Sequence, residues 1–219
     1  MKISFEKSHV EKIDHMGNDA TIVNAARVSF NKAIDKMSIK DEKLLLYLAK
    51  NDHWSPFAHT SIQLRVSAPI FVARQLVKHT VGGVWNEVSR RYVSDNVSFY
   101  LPDEWRSKPV NAKQGSGDNI QNPQSSDMYE RLFELCRHAL FTYNDMIDSG
   151  VAPEQARMVL PQNLMTQWYW TGSLMFWYRV CKLRLDNHAQ KEAQQIAEYI
   201  SDICKKTFPI SWMALFTYE

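Results

Sequence analysis

The stretch Ser61-Ile62-Gln63-Leu64-Arg65-Val66-Ser67-Ala68-Pro69, continued by Ile70-Phe71-Val72-Ala73-Arg74-Gln75-Leu76-Val77-Lys78-His79-Thr80-Val81-Gly82-Gly83, decides the fold class. In its first half Ile62, Leu64 and Val66 alternate with Ser61, Gln63 and Arg65. That period of two lays one face of a β-strand on a core. Pro69 then changes the period, since a residue without an N–H suits the first turn of a helix. The helix is expected to run through Lys78 and stop near Gly82-Gly83, with Ile70, Phe71, Ala73, Leu76 and Val77 toward the core. Gln75 and His79 are four apart and share the other face, with Lys78 beside them. A half-buried strand feeding straight into an amphipathic helix means a mixed fold.

Toward the N-terminus, Met1, Ile3 and Phe5 alternate with polar neighbours and read as an opening strand. Asp19 is an N-cap candidate for a helix through Ile22, Val23 and Ala26 that ends near Ser29, and a second helix spans about Asp41 to Lys50. Toward the C-terminus, Val97-Ser98-Phe99-Tyr100 is another short strand. Residues 102–126 are polar and rich in Gly, Pro, Asn and Gln, which predicts a mobile surface loop and not a domain boundary. Asp127 with Glu130 resembles a capping box opening a long helix that ends at Gly150, and Pro153 starts a short helix that Pro161 ends. Gln167-Trp168-Tyr169-Trp170-Thr171 fits a strand or a buried helix. Gly172-Ser173 caps a helix through Leu183, and Asn187 opens a last long helix carrying Ile196, Ile200 and Ile203. No internal repeat interrupts this order. The expectation is a single α+β domain over residues 1–219, helix-rich, with a small, mostly antiparallel sheet.

Composition narrows the function. A chain of 219 residues that is 45% hydrophobic can bury one domain-sized core. No run approaches the roughly 18 apolar residues of a membrane span, and Met1-Lys2-Ile3-Ser4-Phe5 lacks a signal peptide's apolar stretch, so cytoplasmic residence is expected. Cys136, Cys181 and Cys204 are odd in number and far apart, which argues against a disulfide framework and a zinc site. A net charge of +2 is too small to indicate a nucleic-acid binder.

The chemistry-bearing stretch is Arg74-Gln75-Leu76-Val77-Lys78-His79-Thr80, then Val81-Gly82-Gly83-Val84-Trp85, then Asn86-Glu87-Val88-Ser89-Arg90-Arg91-Tyr92. A Gln/Lys/His face abutting Gly-Gly suits an anionic ligand that approaches backbone closely. Glu87, Ser89, Arg90 and Arg91 follow within five residues. Hydroxyl and guanidinium groups hold phosphate, and a carboxylate orients a sugar hydroxyl or a base N–H. Any one of these residues alone is an ordinary solvated side chain. Clustered beside two glycines, they point to a nucleotide site.

At these residues the chain resembles the flavin-dependent thymidylate synthases, which carry Arg-His-Arg, seven or eight residues, and Ser-x-Arg-Tyr. Here the pattern is Lys78-His79-Thr80, eight residues, and Ser89-Arg90-Arg91-Tyr92. Five further blocks match in order: Ala25-Ala26-Arg27-Val28-Ser29-Phe30, His53-Trp54-Ser55-Pro56-Phe57, Ala68 to Gln75, Ala156-Arg157-Met158-Val159-Leu160-Pro161, and Leu183-Arg184-Leu185-Asp186-Asn187-His188-Ala189-Gln190. The departures are Lys78 and Thr80 for the two arginines, Ala58 for a common Glu, Ser173 for Asn, Met175 for Arg and Arg179 for Asn. Lysine keeps the charge but loses the planar fork. Altered triplets occur in phage-encoded relatives.

The resemblance implies that family's fold and a homotetramer with shared active sites, in a bacterial or phage-infected host cytoplasm. It implies transfer of a one-carbon unit from methylenetetrahydrofolate to C5 of dUMP, with FAD carrying hydride from NADPH. It places Gln75, Glu87, Ser89, Arg90, Arg91 and Arg157 on dUMP, with Gln75, Ser89, Arg91 and Arg157 at its phosphate and sugar. It places Arg184 over the uracil, where negative charge develops, and makes Arg184, Ser89 and His53 the catalytic set. FAD falls to Ser29, Ser55, Lys78, His79, Thr80, Asn86, Glu87, Ser173, Arg179, Leu183 and His188, and no metal is implied. The Pro-Cys-x-His of the flavin-free synthases is absent. Two rivals remain: an enzyme on the same scaffold that modifies another pyrimidine nucleotide or adds hydroxymethyl, and a single-strand nucleic-acid binder stacking bases on Tyr92 and the Trp168–Tyr178 aromatics.

Overall fold

A computed structural model describes residues 3–93, 96–110, 115–120 and 124–217. Along the chain run β1 (Ser4–Glu6), β2 (His9–Met16), α1 (Asp19–Arg27), α2 (Ile39–Lys50), β3 (Ser61–Pro69), α3 (Ile70–Leu76), β4 (Gly83–Glu87), β5 (Ser98–Tyr100), α4 (Gln124–Asp148), α5 (Pro153–Ala156), β6 (Met165–Gly172), α6 (Leu174–Arg184), α7 (Lys191–Thr207) and α8 (Pro209–Phe216). Short 3-10 turns cover Val28–Phe30, Ser55–His59 and Arg157–Val159.

The main sheet has the order β2-β3-β6-β4, and every neighbouring pair is antiparallel. A separate two-stranded ladder pairs β1 with β5 in parallel. β3 lies at the centre because its apolar set is fully sequestered: Ile62, Leu64 and Val66 are all buried. Opposite them β6 presents Trp168 and Trp170, also buried. Trp85 of β4 stacks on Trp168 at 4.2 Å, and Trp170 meets Trp177 of α6 edge-on at 5.0 Å. Such pairs add directional preference to plain area burial. The stretch 167–171 is therefore a strand, and its tryptophans are core.

Two glycines face each other where β4 meets β6, Gly83 opposite Gly172. A Cβ on Gly83 would stand 2.4 Å from the Phe176 ring and one on Gly172 only 2.1 Å, so both positions are reserved for that ring. Gly83 thus starts a strand where the sequence predicts only the end of a helix.

Other expected boundaries shift for identifiable reasons. The cap of α1 is Asn18, whose side chain accepts from Thr21 N while the Thr21 hydroxyl accepts from Asn18 N. Asp19 is instead buried and accepts from Ser211 N (2.8 Å) and Ile210 N (3.3 Å), capping α8 across the fold. α3 stops at Leu76, so Lys78 and His79 lie beyond it and not on its face. α4 begins at Gln124, earlier than the Asp127–Glu130 pair. α7 begins at Lys191, because 186–189 forms a turn in which Asp186 accepts from His188 N at 2.7 Å. α8 follows it, where the sequence predicts no further helix. Met1 and part of the predicted 102–126 loop lie outside the described residues. No described helix is long and apolar enough to cross a membrane.

Candidate active site

Two concave surfaces collect the predicted site residues. The first, about 490 Å³, is lined by Glu87, Ser89, Arg90, Arg91 and Arg157, with Ile70, Leu160, Leu164 and Met165 as its apolar wall. β4 delivers Glu87, and the tight turn after it delivers the serine and the arginines: Tyr92 N and Val93 N both donate to Ser89 O. The Ser89 hydroxyl accepts from Arg91 N at 3.3 Å and from Arg91 Nε at 3.4 Å. Arg90 donates to the Asn96 carbonyl at 3.1 Å and so braces this turn. Glu87 is held by Thr166, whose hydroxyl donates to it at 2.8 Å, and by the Trp85 indole N–H at 3.3 Å. Arg157 comes from the 3-10 turn after α5, and its Nε donates to Glu154 O at 3.2 Å. Three guanidinium groups and a hydroxyl around one carboxylate make an anion-binding concavity with a polar anchor.

The second surface, about 500 Å³, is lined by Gln75, Arg106, Ser116, Arg184, His188 and Gln190, among others. Arg184, on the last turn of α6, donates from Nε to His79 Nε2 (3.0 Å) and from Nη2 to the Gln75 carbonyl (3.2 Å). Gln75 and His79 are therefore joined through Arg184 and not by a helix face. Burial, then the adjacent Arg184, hold the His79 pKa below its ordinary value. Because Nε2 accepts from the guanidinium, the neutral ring carries its proton on Nδ1. Burial also lowers the Arg184 pKa, and none of its described partners is a carboxylate.

The two surfaces share no lining residue. One chain thus divides the predicted dUMP set: Glu87, Ser89, Arg90, Arg91 and Arg157 on one surface, Gln75 and Arg184 on the other.

The predicted flavin set is spread further. Ser29 sits on an exposed 3-10 turn, and Lys78, Thr80, Asn86 and Leu183 are exposed as well. Ser55 opens the 55–59 turn beside His53, whose ring meets Tyr47 edge-on at 5.8 Å. Arg179 lies over the Trp54 ring at 5.6 Å, so it covers the same turn. Ser173 spends its hydroxyl on the Phe176 N–H as the cap of α6, and Met175 is buried. His188 is turned toward Asp186 at 3.1 Å. Residues with no predicted role also enter: Thr166 beside Glu87, and Gln190 and Arg106 beside Gln75. Gln190 closes one of the matched blocks, whereas nothing local distinguishes Thr166 or Arg106.

The model of the family described as Thymidylate synthase complementing protein matches residues 12–210. The chain is 38% identical over 216 residues to a flavin-dependent thymidylate synthase of Thermosipho africanus, covering 97% of this chain and 92% of that one. It is 38% identical over 219 residues to one of Thermotoga neapolitana, covering 100% and 95%. The chain belongs to the flavin-dependent thymidylate synthase family. Among solved structures, the UMP/dUMP methylase PolB from Streptomyces cacaoi bound with 5-Br dUMP superposes with a TM-score of 0.87 at 27% identity, covering 100% of this chain and 98% of that one. The same enzyme bound with 5-Br UMP gives 0.88 at 28% identity, covering 99% and 98%. Family membership makes the chain an enzyme and confirms the α+β class. Of the aromatics the nucleic-acid reading needs, Trp168, Trp170 and Trp177 are buried and offer no stacking surface, which leaves Tyr92 and Tyr169 exposed, and the family membership is that of an enzyme.

Proposed function

We propose that the chain methylates dUMP at C5 to give dTMP, taking the one-carbon unit from methylenetetrahydrofolate and using FAD with NADPH as reductant. The single observation that carries this reading is the division of cationic and polar groups into two surfaces of complementary chemistry. The surface with Ser89, Arg91 and Arg157 suits a nucleotide phosphate, and Glu87 suits a sugar hydroxyl or base N–H. The surface with Arg184 suits a pyrimidine ring on which negative charge develops. Two such halves on one chain complete a site when a second copy supplies the missing half. Shared sites need at least two copies, the homotetramer that the family resemblance implies would supply them, and exposed Val28, Phe30, Val81, Val84 and Tyr92 offer apolar surface for such contacts.

The residues present fit an anionic dinucleotide cofactor. Arg184 is a half-buried cation whose described partners are neutral, and His79 offers an Nδ1–H beside it. Ser29, Ser55, Lys78, Thr80, Asn86 and His188 would hold that group, and bound flavin supplies hydride transfer. A cysteine route is not open. Cys136, Cys181 and Cys204 are buried, none lines either surface, and burial pushes all three thiols up.

Purified protein with a flavin absorption spectrum, turning dUMP into dTMP by mass spectrometry, supports the reading. A colourless protein that stays inactive with added FAD refutes it. A second reading, with UMP as an acceptor, is favoured by the likeness to the UMP/dUMP methylase PolB. The same assay run with UMP decides between them, and its product mass separates methyl from hydroxymethyl.

A further inference from the structure

The described part of the segment after β5 is a hairpin. Ser107 N donates to Asp118 O (2.9 Å), Gly117 N to Ser107 O (2.9 Å) and Ile120 N to Trp105 O (2.7 Å). Arg106 sits on its stem and points at the start of α7. Its Nε donates to the Ser116 hydroxyl (2.9 Å) and its Nη2 to Glu192 Oε1 (2.6 Å). Both partners of this ion pair are largely out of solvent, the Arg106 side chain 19% and the Glu192 side chain 8% exposed. The other oxygen of Glu192 accepts from Gln190 Nε2 at 2.9 Å. Gln190 Oε1 in turn accepts from Gln75 Nε2, and the Gln75 carbonyl accepts from Arg184. A chain of side-chain hydrogen bonds therefore runs from the hairpin to the Gln75 amide, and the backbone carbonyl of that same residue separately holds the Arg184 guanidinium.

Chemistry dictates the sense of that chain. An ionised carboxylate only accepts, so Gln190 must turn its amide nitrogen to Glu192 and its oxygen to Gln75. Gln75 must then turn its nitrogen to Gln190, which leaves one N–H and the amide oxygen for a ligand. Without the Arg106 charge, Glu192 would be a buried anion without its ion-pair partner, a state that favours turning away or entry of water. A Glu192 that has turned away or taken water no longer faces Gln190 as a fixed acceptor, and the direction of both amides is no longer dictated.

We propose that Glu192 is a positioning residue for the Gln75 side-chain amide, in the half of the site that also holds Arg184, and that Arg106 makes attachment of the hairpin a condition of that amide being set. The proposal rests on the reading of this surface as part of the nucleotide site. It predicts that a residue of the polar segment, outside every matched block, tunes how well nucleotide is held.

The test uses the flavin-loaded full chain with Glu192→Gln, Arg106→Met and their double variant. Glu192→Gln should raise KM for dUMP on the order of tenfold, the scale of one lost charge-assisted hydrogen bond, with kcat changing far less. The double variant should be no worse than either single one, because both break one link. Arg106→Lys should recover part of the loss, and it carries the test should Glu192→Gln fail to fold. An unchanged KM, or fully additive effects, overturns the proposal. If wild type does not turn over dUMP, the nucleotide reading falls and the relay is judged by amide exchange alone. Faster exchange at Ser107, Gly117 and Ile120 in Glu192→Gln supports it, and unchanged exchange overturns it.

Discussion

Replacing Arg184 by methionine separates a catalytic charge from a structural one. The side chain is half-buried at the end of α6, and it donates to His79 Nε2 at 3.0 Å and to the Gln75 backbone carbonyl at 3.2 Å. Each hydrogen bond to a charged group contributes roughly 1.5–3 kcal/mol. Taking a guanidinium out of water costs several kcal/mol when no anion faces it. The two effects are of similar size and opposite sign. Methionine keeps the apolar stem, and the half-buried acceptors it leaves behind can rehydrate. The expected change in unfolding free energy is therefore about 1 kcal/mol or less in either direction. Catalysis should respond far more strongly. If the charge acts mainly on the transition state, its loss lowers kcat by roughly 10²–10³-fold or more. Single-turnover flavin oxidation with dUMP reads the rate, urea denaturation reads the stability, and gel filtration reports assembly. Near wild-type turnover refutes the assignment of Arg184 to the reacting ring. A loss of stability above about 3 kcal/mol, the range for one partner removed from a buried pair, makes Arg184 a structural group instead.

Arg157→Ala should weaken dUMP binding roughly ten- to a hundredfold by calorimetry, since its guanidinium is held by the Glu154 carbonyl and a phosphate bond would be lost; unchanged affinity would make it a brace of its own turn. Replacing Cys136, Cys181 and Cys204 together by alanine should leave turnover intact and cost about 1 kcal/mol per site, near the value of one buried methylene; a folded, nucleotide-binding but inactive variant would restore a thiol to the mechanism. His79 has a folded pKa below its ordinary 6.5, so the unfolded chain binds the proton first as pH falls. Stability from this group is complete above 6.5 and lost as pH drops through the window beneath it, and His79→Gln, which still accepts from Arg184, should flatten that slope in denaturation curves. Lys78→Arg with Thr80→Arg should tighten FAD, read as its dissociation constant, because guanidinium groups replace an ammonium and a hydroxyl, and equal or weaker affinity with or without Arg179→Ala refutes this; a larger gain in the Arg179→Ala background would mean that the Arg179 cation stands in for the missing one.

What could be read from the sequence follows from how locally each feature is encoded. β3 was legible because Ile62, Leu64 and Val66 are buried on one face, and α7 because Ile196 and Ile200 recur at helical spacing and are buried. β2 was not, since it is an edge strand with nearly every residue exposed and a register shift between Lys12 and Asp14. β4 was hidden by Gly82-Gly83: Gly82 takes a positive φ of 84°, and Gly83 leaves room for the ring of Phe176, far along the chain. Asp19 reads as a cap and is one, but for a helix at the other end of the chain. The site shows the same division. Ser89, Arg91 and Arg157 carry their chemistry in their own local pattern. The bonds Gln75–Gln190 and Arg106–Glu192 span more than eighty positions, and no local signal predicts them.

The departures from the family pattern sort by what the fold does with each residue. Ser173 and Met175 occupy positions of an asparagine and an arginine, yet one caps α6 and the other is buried in the core. Both are absorbed into the scaffold, so neither is available to a ligand without unmaking part of α6. Lys78 and Thr80 are exposed on the segment between α3 and β4, and Arg179 lies over Trp54 beside the turn that carries Ser55. These three stand where a change alters the charge presented to a bound group and leaves packing alone. At the first pair a neutral side chain costs less to bury than an arginine would. Drift at the second set leaves intact the residue this chain places at the centre of its second surface: Arg184, with His79 held neutral as its acceptor. The triplet's middle residue is the one that the geometry ties to Arg184, and it is the one this sequence keeps.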